Sequence, residues 1–255
     1  MCIVFFAYRV FESCPFVLLD NRDEFYDRET ETLHQWKDFP CLVGSRDMER
    51  GGTWMAVNHE RKRFAVLTNL REPHHVIEQR KQLKSRGKAV LEMLTNDEPL
   101  EVSLRMLAEN RNDFAGFNLL VGDLSKFESK QEKIWYFGSY LEDSNDALQQ
   151  LQPGNIYGVS NASLNTPWPK LKLGIQLVAE LGEAKAADTE ALYRILLNSQ
   201  TAPRDTLVST GLESMEHEYR ASSIFVDHHE VAYGTRTSSI LLIKAHEPIL
   251  HYYER

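Results

Sequence analysis

The chain has 255 residues, of which 42% are hydrophobic and 26% are charged, values that suit a globular protein with a substantial core. Its 29 basic and 37 acidic residues give a net charge of −8. This balance argues against non-specific nucleic-acid binding, which depends on positive charge. The apolar runs all fall short of the roughly 18 residues that span a bilayer, so we expect no transmembrane segment.

Cysteine usage and the N-terminal residues favour a cytoplasmic protein. Cys2, Cys14 and Cys41 cannot all pair, and their spacing is not that of a zinc site, which suits a reducing compartment. Arg9 and Glu12 interrupt the first apolar run, and no cleavage site of small residues follows it, so no signal peptide is expected. We predict no metal site, and the sequence does not indicate an oligomeric state.

The first elements are predicted to be strands. Apolar runs over residues 2–8 and 15–20 predict a hairpin, which would return the polar residues 21–23 towards Cys2. Residues 27–50 are polar and irregular, and we expect a loop region there. Glycines 51 and 52 then permit a turn into a second hairpin, formed by residues 53–58 and 64–69.

Helical and strand patterns alternate over the rest of the chain. Apolar residues spaced by three or four predict helices over residues 76–95, 99–110, 167–181 and 189–198. Strand patterns occupy residues 117–122, 133–137, 156–160, 223–226, 231–233, 239–243 and 249–253. This order predicts an α+β fold of two sheets packed face to face with helices outside. Because no composition break marks a linker, we predict a single domain over residues 1–255.

Cys2 is the candidate nucleophile. If the initiator methionine is removed, Cys2 carries a thiol and a free α-amine, which titrates near pH ~7.7–8.0 and can act as the base for the thiol. Asp23 would then hold the amine, while Arg22 would pair with Asp23 or favour the thiolate. In a regular strand these two neighbours point to opposite faces, so both reach Cys2 only where the strand ends or bulges. The alternatives are an inert buried cysteine and an ordinary ion pair at a strand end.

Further polar residues could complete an acyl-transfer site. The developing oxyanion needs hydrogen-bond donors, and Asn69 and Asn161 each end a predicted strand, where site residues commonly stand. Either asparagine could instead be a turn residue. Arg236 has the planar fork that suits a carboxylate, and it could equally be structural. The pairs His74-His75 and His228-His229 lack partners with ligand spacing, so we expect them to face solvent or lie in turns.

Cys2 followed by Asn21-Arg22-Asp23-Glu24 resembles the NRDE family, also called the transport and Golgi organisation protein 2 family. Further motifs match in the order of the family, over essentially the whole chain. They are Gly51-Gly52-Thr53-Trp54, Leu67-Thr68-Asn69, Gly116-Phe117-Asn118-Leu119, Tyr157-Gly158-Val159-Ser160-Asn161, Thr166-Pro167-Trp168 and Tyr233-Gly234-Thr235-Arg236-Thr237.

The resemblance implies a four-layer αββα sandwich of the N-terminal nucleophile hydrolase type. It implies an N-terminal cysteine amidohydrolase or acyl-transfer enzyme acting on a small amide or acyl compound, with no required cofactor. The candidate catalytic residues are Cys2, Asp23, Arg22, Asn69 and Asn161, and the candidate substrate-binding residues are Arg236 and Trp54. The alternative is a non-catalytic protein that binds and traffics haem or acyl-CoA and lipid, with a role in Golgi organisation in animal relatives.

Overall fold

The computed structural model describes residues 2–72, 83–140, 147–212 and 214–255. The chain divides into two compact units. The terminal unit combines Met1–Asp27 with Gln152–Arg255, and the central unit is the continuous segment Arg28–Leu151. The terminal unit is thus assembled from both ends of the chain. A single domain over residues 1–255 remains a prediction.

Thirteen strands and six α-helices are found in the described ranges. The strands are β1 (Ile3–Tyr8), β2 (Phe16–Phe25), β3 (Thr30–Gln35), β4 (Leu42–Asp47), β5 (Met55–Asn58), β6 (Arg63–Asn69), β7 (Phe117–Asp123), β8 (Lys133–Gly138), β9 (Leu148–Gln150), β10 (Asn155–Val159), β11 (Asp227–His228), β12 (Tyr233–Lys244) and β13 (Glu247–Glu254). The helices are α1 (Arg86–Thr95), α2 (Leu100–Glu109), α3 (Pro169–Ala179), α4 (Gly182–Lys185), α5 (Thr189–Leu196) and α6 (Met215–Arg220). None of these helices has the length and hydrophobicity that crossing a bilayer requires.

The sheet of the terminal unit has the strand order β10-β1-β2-β12-β11, with β13 also paired to β12. All of its pairs are antiparallel. The predicted N-terminal hairpin is confirmed, and it lies inside the sheet, because β10 borders β1 and β12 borders β2. Ile3 is opposite Asn21 and Val4 is opposite Asp20. Cys2 therefore lies at the end of the hairpin that carries Arg22.

One face of this sheet is covered by α3 and α5. The side chains that alternate along β1 on this face, those of Ile3, Phe5 and Ala7, join the apolar faces of the two helices in one core. Pro169 occupies the first turn of α3, where its missing N–H costs nothing. Helix α3 lies so close to β1 that a Cβ atom built on Gly174 would be 1.9 Å from Cζ of Phe5. A side chain at this position would therefore force the Phe5 ring or the helix to move.

The sheet of the central unit has the order β3-β4-β5-β6-β7-β8-β9, again entirely antiparallel. Its core joins alternate residues of β6 and β7 to the buried faces of α1 and α2. The apolar spacing that predicted these helices thus marks their buried faces. Helix α1 is observed from Arg86 onward, and the first part of the predicted 76–95 helix lies outside the described residues.

Four sequence predictions are wrong in their boundaries. Residues 27–50 contain β3 and β4, and β3 was missed because its polar side chains belong to a partly exposed strand at the sheet edge. Strand β2 continues to Phe25, so residues 21–23 lie within it. The predicted strand over 223–226 is a series of bends, in which the Ser223 hydroxyl donates to the Phe225 carbonyl 2.6 Å away. The predicted strand over 231–233 is a 3-10 turn that ends at Val231, and β12 begins only at Tyr233.

Candidate functional site

Cys2 is held in place by two neighbouring strands of the terminal unit. It directly precedes β1 and is 8% exposed. Its Sγ atom lies 3.8 Å from the main-chain oxygen of Asp23 in β2. The hydroxyl of Ser160, which follows β10, donates to the Cys2 carbonyl at 2.7 Å. Side chain and main chain of the candidate nucleophile are therefore both fixed.

Burial raises the pKa of the Cys2 thiol above its usual value, and the negative charges of Asp23 and Asp20 act in the same direction. The hydrogen bond to the Asp23 carbonyl lowers the pKa by a smaller amount. The thiol is therefore protonated at neutral pH. Because the thiolate is the nucleophile, this cysteine needs a base to react.

The carboxylate of Asp23 is fixed by β12. Asp23 is 4% exposed, and its Oδ1 accepts a hydrogen bond of 2.6 Å from the Thr235 hydroxyl. Thr235 Oγ1 in turn accepts from the Val226 N–H at 2.9 Å. The register of β12 on β2 shifts between Thr235 and Thr237, so Arg236 is an extra residue at an irregularity of the ladder. The bulge therefore lies in β12 and not in β2, the strand that carries Arg22 and Asp23.

Arg22 and Arg236 are each tied to nearby groups. Arg22 is 4% exposed, and its Nη2 lies 3.9 Å from Oε2 of Glu24, two positions along the same strand. Arg236 donates from Nη1 to the main-chain oxygen of Phe25 at 3.0 Å. This bond joins the bulge of β12 to the end of β2. It supports the structural interpretation of Arg236, and a role in substrate binding stays a prediction.

Asn161 is brought close to Cys2 through Ser160. Asn161 is 5% exposed, and its Oδ1 lies 3.3 Å from the Ser160 hydroxyl oxygen. Because Oδ1 is the atom facing Ser160, the NH2 end of the amide points elsewhere. That end is the one able to donate to an oxyanion.

Asp20 was not identified from the sequence as a site residue. It is fully buried on β2, and neither carboxyl oxygen has a hydrogen-bond partner among the described residues. Alternation along the strand places it on the same face as Arg22, and the register places it diagonally across from Cys2. Burial raises its pKa well above the usual range, the charges of Asp23 and Glu254 add to this, and Arg22 opposes it. Burial thus favours the protonated form of the Asp20 carboxyl group.

Tyr233 and Thr235 were also missed as site residues, although both belong to a motif that the sequence analysis singled out. The Tyr233 hydroxyl donates to the Asp23 main-chain oxygen at 3.1 Å, the oxygen that also accepts from the Cys2 thiol. Their separation from Cys2 along the chain concealed this proximity. The motif itself was the available signal.

Asn69 and Trp54 belong to the central unit. Asn69 ends β6 opposite Phe117 and is partly exposed. Trp54 precedes β5, is 7% exposed and accepts a hydrogen bond from the Leu67 N–H on its main-chain oxygen. The roles of both residues in the site stay predictions.

The histidine predictions have mixed outcomes. The side chain of His229 is 81% exposed, as expected, whereas the His228 side chain is 7% exposed and lies 5.1 Å from the ring of His217. The pair at positions 74 and 75 lies outside the described residues. Within the described ranges, no group of three or more His, Cys, Asp or Glu side chains could hold a metal ion.

Comparison with known proteins identifies the family. The profile of a family described as "Transport and Golgi organisation 2" matches residues 1–255. The chain belongs to the Transport and Golgi organisation 2 family. Homologues named for transport and Golgi organisation are 33% identical in Homo sapiens and 32% in Mus musculus, over 96% of this chain and 89% of theirs. The Drosophila melanogaster protein is 27% identical over 100% of this chain and 91% of its own.

A solved structure extends the comparison of this Transport and Golgi organisation 2 family member to its fold. The Caenorhabditis elegans N-acylethanolamine-hydrolyzing acid amidase ortholog superposes with a TM-score of 0.52 over 94% of this chain and 92% of that chain. The sequence identity is 11%, so the likeness concerns the fold alone. The predicted α+β fold of the N-terminal nucleophile hydrolase type is confirmed.

Proposed function

We propose that this protein is an N-terminal cysteine amidohydrolase or acyl-transfer enzyme acting on a small amide or acyl compound. The observation that supports the proposal most is the fixed arrangement around Cys2. Its thiol contacts the Asp23 carbonyl, its carbonyl is bound by Ser160, and the Asp23 carboxylate is oriented by Thr235. Side chains locked by hydrogen bonds of their own are what a preorganised reaction centre requires.

The proposed reaction begins with removal of Met1, which creates an α-amine on Cys2. The amine takes the thiol proton, and the thiolate attacks the substrate carbonyl to form a tetrahedral oxyanion. Collapse expels the amine product, which receives the proton from the α-ammonium and leaves a thioester on Cys2. Water then attacks the thioester, which releases the acyl group as a carboxylic acid and regenerates the Cys2 thiol. The raised pKa of the thiol makes the base necessary.

Each of the other candidate residues has a proposed role. Asp23 holds the α-ammonium, and Arg22 adjusts the charge beside Asp23 and Asp20. Asn161 and Asn69 donate to the oxyanion, and Arg236 and Trp54 contact the substrate. The roles of Asn69 and Trp54 depend on their family motifs. We expect a cytoplasmic setting, in which the thiol stays reduced.

Intact-mass analysis combined with covalent capture tests the proposal. The native protein should lack Met1, and an activated acyl ester should add one acyl group to Cys2. Cys2→Ala should abolish this adduct, whereas Cys14→Ala, a matched change at a buried cysteine, should leave it unchanged. Retention of Met1 in protein that turns over amides, or an adduct that survives Cys2→Ala, would rule out this mechanism.

The second candidate is a non-catalytic protein that binds haem or an acyl-CoA or lipid and takes part in trafficking. Two observations favour it: the Cys2 thiol is buried with a raised pKa, and the relatives are named for transport and Golgi organisation. Titration of the purified protein with haem should then shift the Soret band of the haem. Calorimetric titration with acyl-CoA should give a heat of binding that saturates. Absence of both signals would exclude these two ligands.

A further inference from the structure

Two aromatic side chains lie at the end of the sheet that carries the candidate site. Phe25 is 52% exposed at the end of β2, and the ring of Tyr233, at the start of β12, packs against it edge to face, with centroids 5.2 Å apart. The two residues are directly opposite each other in the strand register. Val231, nearby in sequence, is 40% exposed. An exposed phenylalanine by itself is ordinary, but an apolar group beside a polar reaction centre suggests a ligand contact.

The Asp23 carbonyl links Tyr233, one member of this pair, to the Cys2 sulfur. Tyr233 donates from its hydroxyl to the Asp23 carbonyl at 3.1 Å, and the Cys2 sulfur lies 3.8 Å from the same oxygen. The Tyr233 hydroxyl and the thiol are therefore separated by no more than two hydrogen-bond lengths. Tyr233 therefore contacts both the exposed ring of Phe25 and the oxygen that the Cys2 thiol contacts.

Hydrogen bonds to main-chain oxygens connect the two segments that carry this pair. Arg236 donates to the Phe25 carbonyl at 3.0 Å, and the Tyr26 N–H donates to the Ala232 carbonyl at 2.7 Å. The end of β2 that carries Phe25 and the start of β12 that carries Tyr233 are therefore joined by these two hydrogen bonds. A surface fixed in this way loses little conformational freedom when a ligand binds.

We propose that Phe25 and Tyr233 form an apolar subsite that binds the hydrocarbon part of the acyl group transferred to Cys2. This inference rests on the proposed function and specifies its substrate class as amides or esters of acyl groups longer than acetyl. The carbonyl lies at the sulfur, and the acyl chain lies along the two rings. Contact of several methylenes with one aromatic face should raise kcat/KM for the longer acyl group about tenfold.

Acylation of Cys2 in the processed protein by acetyl, hexanoyl and decanoyl 4-nitrophenyl esters tests the subsite. Phe25→Ala should lower kcat/KM for the decanoyl ester about tenfold and leave the acetyl ester within about twofold. Phe39→Ala is the matched control, because Phe39 is 39% exposed and belongs to the central unit. Tyr233→Phe should keep the chain-length preference, since it retains the ring, and Tyr233→Ala should lose it.

The outcomes separate this inference from the proposed function. Acylation of Cys2 with the same chain-length preference in wild type and Phe25→Ala overturns the subsite and leaves the proposed function standing. If no ester acylates Cys2, the proposed function fails, and the subsite is then judged by binding of unreactive decanamide, measured calorimetrically. Binding about tenfold weaker in Phe25→Ala, but not in Phe39→Ala, supports the subsite. Equal binding in all three proteins overturns it.

Discussion

Asp23 serves the candidate site through two different groups. Its main-chain oxygen accepts from the Cys2 thiol and the Tyr233 hydroxyl, while its carboxylate is held by Thr235. A side-chain substitution at this position therefore removes the charge and keeps the carbonyl contact. The two contributions can be separated by experiment.

Asp23→Asn should have opposite effects on two measurements. Without the negative charge, the pKa of the Cys2 thiol falls, so alkylation at a fixed pH becomes faster. Amide turnover should fall by about 10²-fold or more, because the α-amine loses its anchor. The asparagine Oδ1 still accepts from Thr235, which preserves the fold. A parallel change in alkylation and turnover, measured on the same preparation, would contradict the assignment.

Asp20→Asn should increase stability at neutral pH. The folded-state pKa of Asp20 is raised, so the native protein keeps the proton while the unfolded chain loses it near pH ~4. The stabilisation is complete below that pH and declines as pH rises towards the folded pKa. Urea unfolding at pH 5 and pH 7.5 should show a decline in wild type that the variant lacks, with a gain of about 1–3 kcal/mol at the higher pH. Equal pH dependence in both proteins would show that the carboxyl is satisfied.

The sequence identified the residues that belong to local motifs, and it missed those that act through strand register. Cys2, Asp23 and Asn161 follow from hairpin geometry and strand ends. In the structure the Cys2 thiol contacts the Asp23 carbonyl, and the Ser160 hydroxyl contacts the Cys2 carbonyl and Asn161. Thr235 reaches Asp23 because β12 pairs with β2, and this pairing joins segments more than two hundred positions apart. No local periodicity reports such a pairing.

At the scale of elements, the length of β12 explains an incorrect prediction. This strand has 12 residues, and it pairs with β2 along the full 10 residues of that strand. Polar residues 21–23 were expected beyond the apolar part of the second strand, yet they lie within β2 and pair with β12. Side chains of Asn21 and Ser238 bond to each other at 2.7 Å within the sheet. Tertiary pairing therefore overrides the local signal.

Gly174→Ala should destabilise the contact between α3 and β1. The new methyl group would overlap the Phe5 ring, with 1.9 Å to its Cζ atom, and both elements belong to the core. Overpacking of this kind costs about 1–3 kcal/mol, which chemical denaturation can measure. Lys172→Ala, an exposed position on the same helix, is the control and should be nearly neutral. Equal stabilities of the two variants would show that the helix shifts freely.

At the scale of the molecule, the terminal unit depends on strands from the C-terminal end of the chain. Deletion of residues 227–255 removes β11, β12 and β13 and leaves β2 without a partner on one side. Cys14 reports the result, because it is fully buried, its pKa is raised to about 11, and its thiol lies 3.3 Å from the Ile243 carbonyl.

A thiol-reactive dye should label Cys14 in the truncated chain at the rate found in urea, and only slowly in the intact chain. Cys41, in the central unit, serves as the internal reference and should keep its native rate. Continued protection of Cys14 after truncation would show that β1, β2 and the helices suffice for this core.

Composition and element order were enough for the fold class, because alternating strand and helix patterns restrict the architectures available. Helices α2 and α5 were predicted well, since a sustained apolar face is a strong signal, whereas the short helices α4 and α6 were not predicted. The division into a terminal and a central unit did not follow from the sequence, because no composition break accompanies the points where the chain passes between them.

The position of the first hairpin between β10 and β12 also bears on biosynthesis. At 5–20 residues per second, the ribosome completes β12 on the order of ten seconds or more after β2. During this interval the nascent hairpin lacks its permanent neighbours, and aminopeptidases that remove initiator methionine meet an unburied substrate. Under the proposed function, removal of Met1 would therefore precede assembly of the sheet, and Cys2 would be enclosed only when translation is nearly finished.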